Sequence, residues 1–89
     1  MEFEFDAEKS KANRAKHGID FTEAARLLND ERRLEVPART VGEARVMVSG
    51  VIGGQFWSAV VTHRKDRIRI ISVRRSRAEE VKLYEGKDQ

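Results

Sequence analysis

Arginines are concentrated in one short stretch, residues 64–77, which reads RKDRIRIISVRRSR. Six arginines and one lysine face a single acidic residue, Asp66, so this window carries +6 while the other 75 residues sum to −3. A focused positive patch favours an anionic partner, and forked guanidinium groups suit phosphate oxygens. Nucleic acid is therefore the first partner to consider, although the pattern also fits the solvated positions of an amphipathic strand and loop.

Strand periodicity places Arg67 and Arg69 on one face of a predicted strand, together with Ile71 and Val73. The two arginines are then about 7 Å apart, similar to the spacing of successive phosphates, which predicts a phosphate clamp. Because the same face carries two apolar residues, it must be partly buried and partly active. A sheet covered by helices at one end only would allow both.

Two histidines, His17 and His63, can titrate near neutral pH. His63 stands beside Arg64 and could move a proton in general acid-base cleavage of RNA, or could cap backbone groups in a turn. His17 follows Lys16 at a predicted helix end, where both residues would interact with the negative end of the helix dipole. Neither histidine has metal-ligand spacing with carboxylates, and the chain has no glycine-rich phosphate loop, so no metal or other cofactor is predicted.

The composition limits the possible classes of protein. With 89 residues the chain is expected to be a single domain, residues 1–89. The absence of cysteine excludes disulfides, thiolate zinc sites and a cysteine nucleophile. The acidic start has no apolar core, and no apolar stretch approaches the ~20 residues needed to span a bilayer. These features predict a soluble, cytoplasmic protein without a membrane partner.

Apolar periodicity, turns and capping residues divide the chain into eight elements. They are a strand over residues 1–5, a helix after Asp6 to about residue 17, a second helix from 21 to about 28, a brief edge strand over 34–36, strands over 45–52, 55–63 and 67–73, and a helix after Ser76 through Tyr84. Short turns at residues 53–54 and 64–66 make the last three strands an antiparallel meander. The order β-α-α-β-β-β-β-α predicts an α+β domain with helices on one face of a small antiparallel sheet.

Residue types typical of helix ends support the three helices. They are Asp6 and Gly18 at the two ends of the first helix, the capping box Asp20 with Glu23 at the start of the second, and the capping box Ser76 with Glu79 at the start of the third.

Three segments together resemble the BrnT toxins of bacterial type II toxin-antitoxin modules. They read FEFDAEKSKANRAKHGIDFTEAARLLND, GEARVMVSG and HRKDRIRIISVRRSRAEEVKLYE, and they cover the chain almost end to end. The opening Asp-x-x-Lys…Asn-x-x-Lys-His-Gly-Ile and the closing Arg-Ile-Ile-Ser-x-Arg-Arg-x-x-x-x-Glu…Tyr are distinctive in this order. The resemblance implies a RelE-like fold, metal-independent RNA cleavage that arrests translation, and neutralisation by a BrnA ribbon-helix-helix antitoxin. Through that antitoxin, the toxin would also reach operator DNA.

Carried onto this chain, the resemblance and the chemistry of RNA cleavage imply two sets of site residues. The catalytic set is His63, Arg67, Arg69, Arg45 and Tyr84. The RNA-binding set is Lys16, His17, Arg64, Arg74 and Arg75. In this interpretation the catalytic arginines stabilise the phosphorane and His63 transfers the proton. His17 and Tyr84 are the next candidates for proton transfer. Tyr84 could instead pack back on the sheet with its hydroxyl at the surface, and the less favoured alternative is that it stacks a base or donates to a phosphate.

Two non-catalytic interpretations stay open at this point. The same arginines could form a basic docking module for an acidic protein segment or for operator DNA. The chain could also be a degenerate toxin that binds its antitoxin without cleaving RNA.

Overall fold

A computed structural model describes residues 2–38 and 42–86, and in these residues three helices and five strands follow the predicted order. The strands are β1 (Glu2–Glu4), β2 (Leu34–Ala38), β3 (Arg45–Ile52), β4 (Gln55–Arg64) and β5 (Arg67–Arg75), and the helices are α1 (Ala7–His17), α2 (Phe21–Ala24) and α3 (Ala78–Gly86). Met1, at the start of the predicted first strand, lies outside the described residues. None of the helices in these residues combines the length and the apolar composition that a membrane span requires.

The sheet is mixed, with the strand order β1-β5-β4-β3-β2. The pairs from β2 to β5 are antiparallel, which confirms the predicted meander. The first strand pairs with β5 in parallel, with Glu2 opposite Arg67 and Glu4 opposite Arg69. The prediction of a wholly antiparallel sheet is therefore wrong at β1. The partner of β1 lies more than 60 residues away along the chain, so no short turn fixes the direction of β1.

The ends of the first two helices follow the predicted caps. Asp6 Oδ1 accepts hydrogen bonds from the backbone N–H groups of Glu8 (2.9 Å) and Lys9 (3.1 Å). Gly18 ends α1 with φ 82°, a left-handed conformation that glycine adopts without strain. Asp20 Oδ1 accepts from Glu23 N at 2.8 Å. These local contacts fix where α1 stops and α2 starts.

The second helix is shorter than predicted. Its α-helical part ends at Ala24, and the chain continues as a tighter 3₁₀ segment, Ala25–Asn29. This segment places Asp30 against β3, where its carboxylate accepts from Val51 N at 3.0 Å. The contact requires Gly50, because a Cβ there would lie 2.9 Å from Asp30 Oδ2.

The third helix is capped by a different residue from the one predicted. It begins at Ala78, and the Glu80 carboxylate accepts from Arg77 N at 2.9 Å. The capping contact is therefore shifted by one residue from the predicted pair. The Ser76 hydroxyl is instead 2.7 Å from that of Ser58 on β4.

The hydrophobic core lies between one sheet face and the α1 and α2 layer. Its buried residues are Ile19, Phe21, Ala24, Leu27, Val48, Ile52, Trp57, Ala59, Val61, Ile68, Ile70 and Val73. The buried Asn13 joins α1 to the sheet, since its side chain accepts from Val73 N (3.2 Å) and donates to Ile19 O (2.9 Å). The helices do not all lie on this face, because α3 packs over Ser58 on the opposite one.

A β-bulge reverses the predicted faces of the second half of β5. Ile70 pairs with Val61, whereas Ser72 pairs with Val60, so Ile71 is an extra residue. Val73 consequently joins Ile68 and Ile70 in the core, and Ser72 and Arg74 join Arg67 and Arg69 on the other face. The predicted sharing of one face by Arg67, Arg69 and Val73 is therefore wrong.

Candidate active site

Four arginines meet at one end of the sheet face that α1 and α2 leave uncovered. Arg69 lies opposite Thr62, and Arg67 lies opposite Arg64. Because Val46 pairs with Val61, the preceding residue of β3, Arg45, adjoins Thr62. We call this end of the face, with Arg45, Arg64, Arg67 and Arg69, the arginine face.

Carboxylates compensate most of the charge of the arginine face. Arg67 Nε lies 3.4 Å from Glu2 Oε2, and Arg69 Nη1 lies 3.8 Å from Glu4 Oε2. Arg64 Nη2 donates to Glu43 Oε1 at 3.2 Å, which raises the pKa of the Arg64 guanidinium. The sequence window is strongly basic, but this folded surface combines four arginines with three carboxylates.

Arg45 is the arginine of this face that has no anionic partner in residues 2–38 and 42–86. Its Nε is buried and makes no hydrogen bond. Arg45 as a whole is only half-buried, and a guanidinium without a carboxylate beside it favours an anion from solution. Arg45 and Arg69 are two strands apart, about 10 Å between Cα atoms. The buried Thr62 lies between them, its hydroxyl donating to Ala44 O at 2.8 Å.

Arg74 lies on the same sheet face, but its guanidinium is held by α3. Its Nη1 and Nη2 each donate to the Glu80 carboxylate at 2.8 Å. Glu80 also accepts from the Ser58 hydroxyl at 2.9 Å, and Ser58 lies 2.7 Å from Ser49. These contacts, with the Arg74 hydrogen bonds as the main cause, lower the pKa of Glu80 to about 2, and they raise the pKa of Arg74. Arg74 thus anchors α3 to the sheet.

Tyr84 is far from the arginine face. Its hydroxyl donates to Asp30 Oδ2 at 2.8 Å, and its ring packs edge-on against Phe56, 5.5 Å between centroids. Phe56 is six residues along β4 from Thr62, a distance of about 20 Å. Partial burial and the bond to Asp30 raise the pKa of the Tyr84 phenol. The structure therefore does not bring Tyr84 together with Arg67 and Arg69.

His63 and Arg75 lie on the opposite face of the sheet. His63 pairs with Ile68 and lines a groove of about 380 Å³ together with Phe3 and Leu28. Arg75 lies over the Trp57 ring, with its Cζ 5.4 Å from the ring centroid, and donates to Gln55 Oε1 at 3.2 Å. Neither side chain shares a surface with Arg45 and Arg69.

Lys16 and His17 occupy the last turn of α1, as predicted. Lys16 is exposed and His17 is half-buried. Other residues of the opening motif, Asp-x-x-Lys…Asn-x-x-Lys-His-Gly-Ile, have structural roles in the fold. Asp6 caps α1, Asn13 bonds α1 to β5, and Gly18 ends the helix. This motif therefore describes how α1 docks on the sheet.

Sequence reasoning missed the pairing of Glu2 with Arg67 and of Glu4 with Arg69. It predicted a strand over residues 1–5 but gave that strand no partner. A signal was present, because Glu-Phe-Glu in β1 has the period of Arg-Ile-Arg at the start of β5. Opposite charges at matching positions favour pairing of two such strands.

No group of three or more acidic or histidine side chains in residues 2–38 and 42–86 is placed to hold a metal ion.

Comparison with known families gives a match that covers most of the chain. A family model described as the ribonuclease toxin BrnT of type II toxin-antitoxin systems matches residues 5–80. The chain belongs to the BrnT family. No curated protein matches it. The match confirms the resemblance seen in the sequence and implies an antitoxin partner, since BrnT proteins are toxins of two-component modules. All four arginines of the arginine face lie within the matched residues, whereas Glu2, Glu4 and Tyr84 lie outside them.

Proposed function

We propose that this BrnT-family chain is a metal-independent endoribonuclease whose arginine face binds and cleaves RNA. The observation that carries the proposal is that Arg45, half-buried and without a described carboxylate partner, faces Arg69 across Thr62. A phosphate above Thr62 would give the Arg45 guanidinium the anionic partner that it lacks.

The reaction explains why arginines are needed at this position. Attack of the ribose 2′-hydroxyl on the adjacent phosphorus produces a dianionic phosphorane and releases the 5′-oxygen. Fixed positive groups that meet this developing charge lower the barrier. Arg45 and Arg69 would contact the scissile phosphate, whereas Arg64 and Arg67 would hold the neighbouring backbone. Arg74 and Tyr84 would then support α3 rather than the reaction.

The family also guides the biological part of the proposal. RNA cleavage in the cytoplasm would arrest translation, and a BrnA-type ribbon-helix-helix antitoxin would neutralise the toxin. The complex would reach operator DNA through the antitoxin.

The test is cleavage of a labelled RNA by the purified chain in the presence of EDTA. The wild type should leave a 2′,3′-cyclic phosphate end. Arg45→Ala and Arg69→Ala should each lose about 2 to 4 kcal/mol of transition-state stabilisation, a rate loss on the order of 100-fold or more. Arg75→Ala is the matched control, because Arg75 lies on the same strand as Arg69 but on the opposite face. It should retain most of the activity.

Equal losses in all three variants would contradict the assignment to the arginine face. If a folded wild type cleaves no RNA, with or without ribosomes, the chain is a docking module or an inactive toxin. Activity that disappears with EDTA would refute metal independence.

A further inference from the structure

We infer that Glu4 is the general base that removes the 2′-hydroxyl proton during RNA cleavage. This inference rests on the proposed function and assigns the proton acceptor that the arginines cannot provide. Arginine stays protonated at physiological pH, so the arginine face needs a second kind of group.

Glu4 occupies the right place for this role. It is the last residue of β1, and its backbone is fixed by pairing with Arg69 on one side and by the Asp6 cap of α1 on the other. Its side chain lies in the same row across the sheet as Arg69, Thr62 and Arg45. A carboxylate beside a phosphate bound to Arg69 would be close to the ribose attached to that phosphate.

The contact between Glu4 and Arg69 is long enough for a bound phosphate to replace Glu4 as the partner of Arg69. Arg69 Nη1 lies 3.8 Å from Glu4 Oε2, whereas Arg74 holds Glu80 at 2.8 Å. Both side chains of the loose pair are 28% exposed, so a ligand can reach them. A phosphate that takes the Arg69 guanidinium would leave the Glu4 oxygens available to accept a proton.

The neighbouring titratable groups are less suited to the role. Glu2 is 73% exposed and lies beside Arg67, outside the row of Arg45 and Arg69. Glu43 accepts a 3.2 Å hydrogen bond from Arg64. Asp6 uses its carboxylate to cap α1, and His63 lies on the other sheet face.

The step balances with water as the other proton source. Glu4 takes the 2′-hydroxyl proton while the 2′-oxygen forms its bond to phosphorus. The bond from phosphorus to the 5′-oxygen then breaks, and the leaving oxygen keeps the electron pair and takes a proton from water. The hydroxide left by that water takes the proton from Glu4, which restores the carboxylate. The products are a 2′,3′-cyclic phosphate and a 5′-hydroxyl end.

The test compares Glu4→Gln with Glu2→Gln in single-turnover cleavage of a labelled RNA. Both substitutions remove one negative charge from the same strand and face. Glu4→Gln should slow cleavage on the order of 100-fold or more. Glu2→Gln should stay within a few-fold of the wild type. Binding of a matched 2′-deoxy oligonucleotide, which cannot react, should not weaken in either variant, and urea unfolding should show both to be folded.

Each other outcome overturns the inference in a distinguishable way. If the wild type and Glu4→Gln cleave RNA at the same rate, Glu4 is not the general base, and the proposed function is unaffected. If Glu4→Gln loses oligonucleotide binding or folding to the same extent as cleavage, Glu4 has a structural role in positioning β1 and is not the general base. A wild type that fails to cleave RNA would refute the proposed function, and the role of Glu4 with it.

Discussion

Replacing Glu80 by glutamine should destabilise the protein far more at neutral pH than in acid. The Glu80 side chain is 7% exposed, and its carboxylate accepts hydrogen bonds from both terminal nitrogens of Arg74, from Ser58 and from Arg77 N. These contacts lower its pKa from 4.5 to about 2. The amide of glutamine keeps the shape but removes the charge that faces Arg74.

The size of the effect follows from the pKa. A group whose pKa is lowered by folding stabilises the native state fully above its unfolded value, and this contribution disappears as pH falls toward the folded value. The ionised Glu80 carboxylate contributes about 3 kcal/mol to the free energy of unfolding at pH 7 and about 1 kcal/mol at pH 3. The penalty of Glu80→Gln should therefore shrink by about 2 kcal/mol between these two pH values.

Urea unfolding at pH 7 and pH 3 measures this difference, with the fluorescence of Trp57, the single tryptophan, as the signal. Glu79→Gln is the matched control, since Glu79 is the preceding residue of α3 and is exposed. It should change the free energy of unfolding little at either pH. A Glu80→Gln penalty that is the same at both pH values would refute the reasoning, because the loss would then not come from the carboxylate charge.

Three further substitutions test how the fold positions the site. Gly50→Ala should cost about 1 to 3 kcal/mol, because the new Cβ would lie 2.9 Å from Asp30 Oδ2; an unchanged urea midpoint would contradict this. Asn13→Ala should cost about 2 kcal/mol and speed hydrogen exchange at the Val73 amide, which loses its acceptor; unchanged exchange would show that this hydrogen bond does not protect the edge of β5. Lys65→Gly should stabilise the protein by about 1 kcal/mol, since Lys65 has φ 56°, whereas Lys65→Ala should bring no gain.

The sequence alone predicted what depends on neighbouring residues. Asp6 and Gly18 mark the ends of α1 because capping and left-handed turns involve only a few consecutive residues. Gly53 and Gly54, with φ 59° and 80°, form the predicted turn between β3 and β4 for the same reason. The motifs of the first and last segments also identified the family correctly. The order of the elements followed from this local information.

The composition of the site depended on contacts between distant parts of the chain. The extra residue Ile71 turns the rest of β5 over, so a period of two assigned Val73 and Arg74 to the wrong faces. Parallel pairing of β1 with β5 brings Glu4 to Arg69, 65 positions away. The matching Glu-Phe-Glu and Arg-Ile-Arg patterns favour this pairing, but each pattern by itself does not identify its distant partner. Pairing with β5 also puts Thr62 opposite Arg69, so the next residue, His63, lies on the other face and apart from the arginines.

The sequence by itself determined the elements, their order and the family, because helix caps, turns and periodicity act over a few residues. Only the tertiary structure decided which charges meet. Four arginines from three strands come together, three carboxylates compensate most of their charge, and Arg45 is left without a described partner. The physical reason is that charge compensation depends on distance in space, and strand pairing and a single bulge set that distance.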